Sequence, residues 1–327
     1  MRTARSGRLS RAREEVRARV VVNATGVWEN DFGSDERSRR LRGSKGVHIS
    51  VARERIGNRD ALTLISPIDG RVMFCLPAGR YSIIGTTDTW TSESPEEVRA
   101  HQADVEYLLR SANHYFPRAE LAPADVVSAW AGIRPLASGA ASTPGAISRE
   151  HTILTDTAGV VDVTGGKLTT YRSMAAEIVD HVQVALGEKR QRAATDLVEL
   201  PGGERSAEVA QLQRENVELA TPLIPEQRCT GAHLVYGVRE EMARTLADLL
   251  IRRTRIAFET RDHGWSAAPR AADIVAPLLG WSGRRLDAEM EAFQTHVARS
   301  QRLEHARCRL GLVRALVADG VDFVAVT

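Results

Sequence analysis

The sequence predicts an α+β protein, with an antiparallel sheet region in the first half of the chain and an all-α region in the second. Three observations carry this expectation. Short apolar or alternating runs closed by turn residues recur between Val20 and Val163, as strands do. Two of these runs flank Pro77-Ala78-Gly79-Arg80 as the arms of a hairpin, which is antiparallel pairing and not the alternation of strand and helix that builds a parallel sheet. Beyond a polar stretch containing Pro201-Gly202-Gly203 the apolar positions recur only at helical spacing.

Composition narrows the function classes. The 327 residues are 43% hydrophobic and 26% charged, enough for about two domains at roughly 100 to 200 residues each, and no apolar run approaches the ~20 residues of a membrane-spanning helix. Lys plus Arg at 44 against Asp plus Glu at 42 leaves a net charge of +2, so bulk charge predicts no nucleic-acid partner and any anion site must be local. Cys75, Cys229 and Cys308 are far apart with no CxxC pair, which points to a reducing cytoplasm. The nine histidines form no HExxH or Cys/His cluster, and no protein-bound metal is expected. Lys45, Lys167 and Lys189 are the only lysines among the 44 basic residues, which singles them out as places where a compact charge is kept.

The elements follow in order. Residues 1–19 hold seven arginines and no apolar stretch, a solvated and partly disordered arm and not a secretory signal. Val20-Val21-Val22 then reads as a short buried strand ending in the small-residue turn Asn23-Ala24-Thr25-Gly26; such a strand needs neighbours that the residues before it do not supply. Lys45 to Val51 alternates, with His48 and Ser50 opposite Val47 and Ile49. Arg71–Leu76 and Tyr81–Ile84 make the hairpin, with a four-residue loop at 77–80. Ser94 is placed to cap a helix from about Pro95, and a longer helix runs through Val105, Leu108 and Leu109 to Phe116, where Pro117 stops it. Further strands are expected at Val126–Leu136, Ile147–Leu154 and Val160–Val163, followed by a helix on which Leu168, Tyr171, Ala175, Ile178 and Val182 share a stripe. After the polar stretch from Gly187 to Ser206, helices are expected at Glu240–Leu250, Ala271–Leu279 and Arg284–Val297, the last capped by Ser282.

Three groups of residues could do chemistry. Thr164-Gly165-Gly166-Lys167-Leu168-Thr169-Thr170-Tyr171 joins a strand to a helix through two glycines; this is either an ordinary left-handed connector or a site where backbone N–H groups and the positive helix end meet an anion or a flavin carbonyl. Arg134, in Trp130-Ala131-Gly132-Ile133-Arg134-Pro135-Leu136, and Arg149, in Ile147-Ser148-Arg149-Glu150-His151, sit in apolar strands. Such arginines need an anionic partner, which is a carboxylate of the protein or a ligand phosphate. His48 is either a structural histidine or a base. Gly85-Thr86-Thr87-Asp88 is either an Asp-capped turn or part of the same pocket.

These segments, read as an ordered series, resemble the FAD-dependent glycerol-3-phosphate dehydrogenases. The resemblance is carried by Val21-Val22-Asn23-Ala24-Thr25-Gly26-Val27-Trp28, Ser44-Lys45-Gly46-Val47-His48, Ile83-Ile84-Gly85-Thr86-Thr87-Asp88, Ala131 to Leu136, Ile147 to His151 and Gly165 to Arg172. The helical region, with Leu249-Leu250-Ile251-Arg252-Arg253-Thr254 and Leu279-Gly280-Trp281-Ser282, is similar to that family's C-terminal domain.

The resemblance implies oxidation of glycerol 3-phosphate to dihydroxyacetone phosphate, with FAD as cofactor and a membrane quinone as electron acceptor. It implies that Arg134 and Arg149 hold the substrate phosphate, that Lys167 lies between substrate and flavin, and that His48 stands beside the reacting hydroxyl. Asn23, Ala24, Thr25 and Gly26, with Gly165, Gly166, Lys167, Leu168, Thr169 and Thr170, would touch FAD. The implied fold is an antiparallel substrate-binding sheet with a remnant of a FAD-binding α/β domain, followed by an all-α C-terminal domain. On this division residues 1–26 are the arm and last strand of a truncated FAD-binding domain, 27–186 the substrate- and flavin-binding region, 187–206 a linker and 207–327 the helical domain. One departure matters: members of the family bind the FAD pyrophosphate through a GxGxxG turn, and these 327 residues contain none. The expectation is a C-terminal portion of such an enzyme, inactive alone or working with a separate FAD-binding half, in the cytoplasm or at the inner face of the membrane. Two alternatives stand beside it: a glycerol-phosphate oxidase that uses oxygen, and a non-catalytic interaction module.

Overall fold

A computed structural model describes residues 2–4, 16–31, 41–137, 150–198, 205–225 and 227–299. Along the chain run strands β1 (Arg2–Ala4), β2 (Val16–Ala18), β3 (Val21–Asn23) and β4 (Leu41–Ala52), the one-turn helix α1 (Arg53–Ile56), strands β5 (Leu62–Ile65), β6 (Val72–Ala78), β7 (Tyr81–Gly85) and β8 (Thr89–Thr91), and helix α2 (Gln102–Tyr115). Strands β9 (Val126–Ala137), β10 (Thr152–Thr155) and β11 (Val160–Thr164) follow, then helices α3 (Tyr171–Ala185), α4 (Arg205–Glu215), α5 (Gly231–Arg239), α6 (Ile256–Glu259), α7 (Ala268–Leu279) and α8 (283–299). The fold is α+β with antiparallel sheet and a helical C-terminal part. Among the described residues no helix is long and apolar enough to cross a membrane.

Contacts divide the chain into two units, each drawn from three stretches. The first takes Met1–Gly46, Thr87–Val98 and Ala131–Glu199; the second takes Val47–Thr86, Arg99–Trp130 and Leu200–Thr327.

The second unit is built on an antiparallel sheet. β5 pairs with β6, β6 with β7, and β7 with the end of β4, where His48 faces Gly85 and Ser50 faces Ile83. Period-two alternation sorts the faces: Ile49, Val51, Met73, Cys75 and Ile84 are fully buried, while Val72, Phe74 and Leu76 on the other face stay 37–47% exposed. Helix α2 lies against β7 and brings Val105, Leu108, Leu109 and Ala112 into the core. Each large side chain so buried contributes about 1.5 to 3 kcal/mol. The helical part of this unit has its own core, in which Leu234, Leu246, Leu249, Leu250, Ile256, Ala271, Val275 and Phe293 are buried.

The first unit holds the following pairings besides that of β1 with β2. β10 runs antiparallel to β11, β11 runs parallel to β3 with Asp162 opposite Asn23, and Gly43 to Lys45 of β4 run antiparallel to β8.

Several expectations give way to local chemistry. The hairpin turn is two residues and not four, since Ala78 pairs with Tyr81 and Pro77 with Ser82; Gly79, with φ +61°, supplies the conformation a two-residue turn needs, and Pro77 lies past the end of β5, which stops opposite Cys75. Residues 95–97 form one turn and no helix: Ser94 Oγ accepts from the Glu96 N–H and donates to the Glu96 carboxylate, which also accepts from Trp28 Nε1, and the chain is capped afresh where the Asp104 carboxylate accepts from the His101 N–H. The arm is not featureless, for β1 and β2 pair. Val22 is 39% exposed and Asn23 is the buried residue of its strand, because β3 gains its parallel neighbour from β11, downstream, and among the described residues ends that sheet. The segment at 147–154 narrows to β10, and its first residues lie outside those described.

Two helices also differ. A 3-10 turn, Leu168–Thr170, precedes α3, and the apolar stripe is open: Leu168 is 88% and Tyr171 51% exposed. Glu240–Leu250 is not one helix. Helix α5 ends at Arg239, Met242 turns the chain at φ +57°, and Asp248 accepts from the N–H groups of Arg244 and Thr245 while its own N–H bonds Thr245 Oγ1, starting a new helical stretch whose Asp248–Arg253 part is π-type. At 282 the serine caps as expected, its Oγ accepting from the Arg285 N–H at 3.4 Å.

Candidate functional site

The first unit concentrates charge where β4 passes β8. The register sets Ser44 and Lys45 opposite Trp90 and Thr89, and the carboxylates just before and just after β8, Asp88 and Glu93, meet these two residues of β4. Ser44 Oγ donates to Asp88, and Lys45 Nζ lies 3.2 Å from Glu93 Oε1 with its side chain only 7% exposed. Arg134 reaches in from β9: its Nη1 donates to Asp88 Oδ1 at 3.2 Å and to the Thr87 carbonyl at 3.3 Å. Its guanidinium lies so close over Gly46 that a β-carbon there has no room. The protein-carboxylate reading of Arg134 is therefore realised in Asp88, and a buried carboxylate of this kind is tolerable only because it is paired.

Arg134 also borders an opening. Ile133, Arg134, Pro135 and Leu136 line a cavity of about 340 Å³ together with Gly165, Gly166, Lys167 and Leu168. Strand β11 feeds this turn. Gly165 and Gly166 have φ +77° and +85°, values that suit glycine, and both are hemmed in: a β-carbon on Gly165 would sit 2.6 Å from the Glu150 carbonyl, and one on Gly166 would strike Met174. Lys167 is extended and exposed, and Thr170 Oγ1 donates to its carbonyl at 3.0 Å. Beneath, Asn23 Nδ2 donates to Asp162 Oδ1 at 2.9 Å and Thr25 Oγ1 donates to Asn23 Oδ1 at 2.6 Å. Burial raises the Asp162 carboxyl above the usual range, with Asp156 adding to it and the Asn23 bond opposing. Asn23 therefore shapes its own turn and ties it to β11, while Gly26 leaves it at φ +61°.

His48 belongs to the second unit. Its ring is stacked on Trp130 at 5.8 Å and 14°, and Trp130 meets Phe258 edge-on at 5.2 Å. Gly85, opposite it in the register, leaves space for the imidazole that a β-carbon would fill. Trp130 and Phe258 also line a cavity of about 170 Å³ with Ser50, Tyr81, Arg255 and Glu259; burial raises the Glu259 carboxyl, and Arg255 opposes the shift.

Of the residues singled out by sequence, the structure brings Arg134 and the turn Gly165–Leu168 around one cavity in the first unit and gives His48 an aromatic seat in the second. Arg149 lies outside the described residues. Sequence reasoning missed Asp88 as the partner of Arg134, the Lys45–Glu93 pair and the buried Asp162. The available signals were the serine and rare lysine directly before Gly46 and the Asp closing Gly85-Thr86-Thr87-Asp88.

Comparison with known proteins adds relatives. Residues 2–172 match the family model described as FAD dependent oxidoreductase, and residues 161–286 match the C-terminal domain of alpha-glycerophosphate oxidase. A Mycobacterium leprae protein named glycerol-3-phosphate dehydrogenase is 33% identical over 318 residues, covering 86% of this chain and 54% of that protein. An aerobic glycerol-3-phosphate dehydrogenase of Staphylococcus saprophyticus is 29% identical, covering 89% of this chain and 59% of its own length. The crystal structure of the glycerol-3-phosphate dehydrogenase from Bacillus halodurans complexed with FAD superposes with a TM-score of 0.71 at 26% identity, over 89% of this chain and 64% of that one. The chain thus spans little more than half the length of the curated relatives it matches.

Proposed function

We propose that this chain, which belongs to the FAD dependent oxidoreductase family, carries the substrate side of an enzyme that oxidises glycerol 3-phosphate to dihydroxyacetone phosphate, with electrons passing on to a quinone. The observation that carries the reading is the cavity of about 340 Å³ lined by both Arg134 and the Gly165-Gly166-Lys167 turn, where two cationic residues border a space that would suit a small phosphorylated alcohol. Arg134 and Arg149 hold the phosphate. Lys167 steadies the alcohol oxygen against the flavin, and His48 takes the proton of the C2 hydroxyl as the C2 hydride leaves.

The residues here suit the flavin end of FAD: two left-handed glycines lead from β11 into the 3-10 turn and the 15-residue α3, and Asn23, Ala24, Thr25 and Gly26 form a second small-residue turn at the end of the neighbouring parallel strand. FAD, when bound, supplies the two-electron acceptor. The 327 residues contain no GxGxxG turn for its pyrophosphate, so the contacts proposed here are to the flavin end alone. Residues 27–186 are the substrate- and flavin-binding region and 207–327 the helical domain, with 187–206 between them. Work with a quinone puts the assembly at the inner membrane face as a peripheral protein.

The test is titration of FAD into the purified chain, followed by glycerol 3-phosphate under anaerobic conditions. The expected result is negligible flavin affinity for the chain alone, and flavin bleaching once a polypeptide bearing the Gly-rich turn is added. No bleaching in the assembled protein overturns the reading. A second reading, oxygen as acceptor, is favoured by the match of residues 161–286 to the alpha-glycerophosphate oxidase domain; hydrogen peroxide produced in step with substrate oxidation decides for it.

A further inference from the structure

We propose that Asp88 is a positioning residue, whose carboxylate, with the Thr87 carbonyl, holds the Arg134 guanidinium in one orientation over Gly46 so that the arginine meets a phosphate already ordered. The proposal rests on the reading of Arg134 as a phosphate-binding residue.

Four observations converge on it. Asp88 is buried, with its side chain 9% exposed, and its Oδ1 accepts from both Ser44 Oγ and Arg134 Nη1. Ser44 and Gly46 are two apart on β4 and so share a face; the serine fixes the carboxylate and the glycine makes room for the guanidinium. Arg134 Nη1 donates both to the Asp88 carboxylate and to the Thr87 carbonyl, so two acceptors fix that end of the guanidinium. The neighbouring cation has a carboxylate of its own, for Lys45 Nζ lies 3.2 Å from Glu93 Oε1. An arginine side chain has many rotamers, and one already held loses less freedom when an anion binds.

The test is a double-mutant cycle on the full chain, with glycerol 3-phosphate titrated by calorimetry into wild type, Asp88→Asn, Arg134→Ala and the double variant. Asparagine keeps the shape of the side chain and removes its charge. Asp88→Asn is expected to weaken binding about tenfold, and the double variant to bind no more weakly than Arg134→Ala. If Asp88→Asn does not fold, Asp88→Glu, which keeps the charge at a different reach, takes its place in the same cycle with the same expectation. An effect of the Asp88 variant that is equally large without Arg134, or no effect while Arg134→Ala still weakens binding, overturns the positioning role and leaves the functional reading intact. Wild type that takes no glycerol 3-phosphate, or Arg134→Ala that binds as wild type does, overturns both.

Discussion

Replacing Gly165 by alanine separates two ways in which a turn can demand glycine. At φ +77° an L side chain is strained by about 1 to 2 kcal/mol. The added carbon would also stand 2.6 Å from the Glu150 carbonyl oxygen, a backbone atom that has no rotamer by which to move aside, and overpacking of this kind costs about 1 to 3 kcal/mol. The sum is roughly 2 to 5 kcal/mol. Gly26 and Gly79 are built-in controls, both at φ +61° with nothing within 4 Å of the added carbon, so alanine there should show the conformational cost alone. Urea unfolding of wild type and the three variants, followed by tryptophan fluorescence and circular dichroism, gives the differences if the m-values agree. Gly165→Ala should lose roughly 1 to 3 kcal/mol more than either control. Equal losses would show that the Glu150 carbonyl yields freely, and that its close approach is not what fixes the turn.

Three further outcomes are expected. In the flavin-loaded assembly His48→Asn should slow flavin reduction by glycerol 3-phosphate; reduction at the original rate would make His48 structural. Asp162→Asn should be neutral or stabilising at pH 7: a raised carboxyl pKa means that the folded state holds its proton longer than the unfolded state, so wild-type stability falls as pH rises from the ordinary carboxylate range through the folded pKa, and a variant whose advantage does not shrink on acidification would contradict this. Burial pushes the Cys75 and Cys229 thiols up to about 11 and about 12, so both should resist iodoacetamide at pH 8 in the folded protein; peptide mass mapping that finds either labelled at the rate of an unfolded control would refute it.

The parts of the fold legible in the sequence were those set by alternation and by strong caps. Met73 and Cys75 against Phe74 and Leu76, the helix through Leu108 and Leu109, and the Ser282 cap could all be read from spacing. What escaped was chemistry that competes locally with a pattern. Ser94 does cap, its Oγ accepting from the Glu96 N–H, yet the segment it opens is a single turn, and the Thr245 to Asp248 box that breaks the 240–250 segment was hidden inside a run of helix formers. At the candidate site the residue types were visible, Arg134 and the Gly165-Gly166-Lys167 turn above all. Their partners were not: Asp88 lies 46 positions from Arg134 and Asp162 lies 139 from Asn23, and only strand register brings such residues together.

The interleaving of the two units limits how the chain can be cut. Each takes three stretches in alternation, so the polypeptide passes from one to the other inside β4, after β7, after Val98, inside β9 and at Glu199. No contiguous segment shorter than the first 199 residues contains all of the first unit, and that segment carries with it the whole hairpin sheet of the second. A shorter expression boundary therefore divides both units at once. Deletion mapping, in which function is assigned by trimming from one end, would return a loss at nearly every step, and point substitutions such as those above are the experiments that can assign a role to one residue at a time.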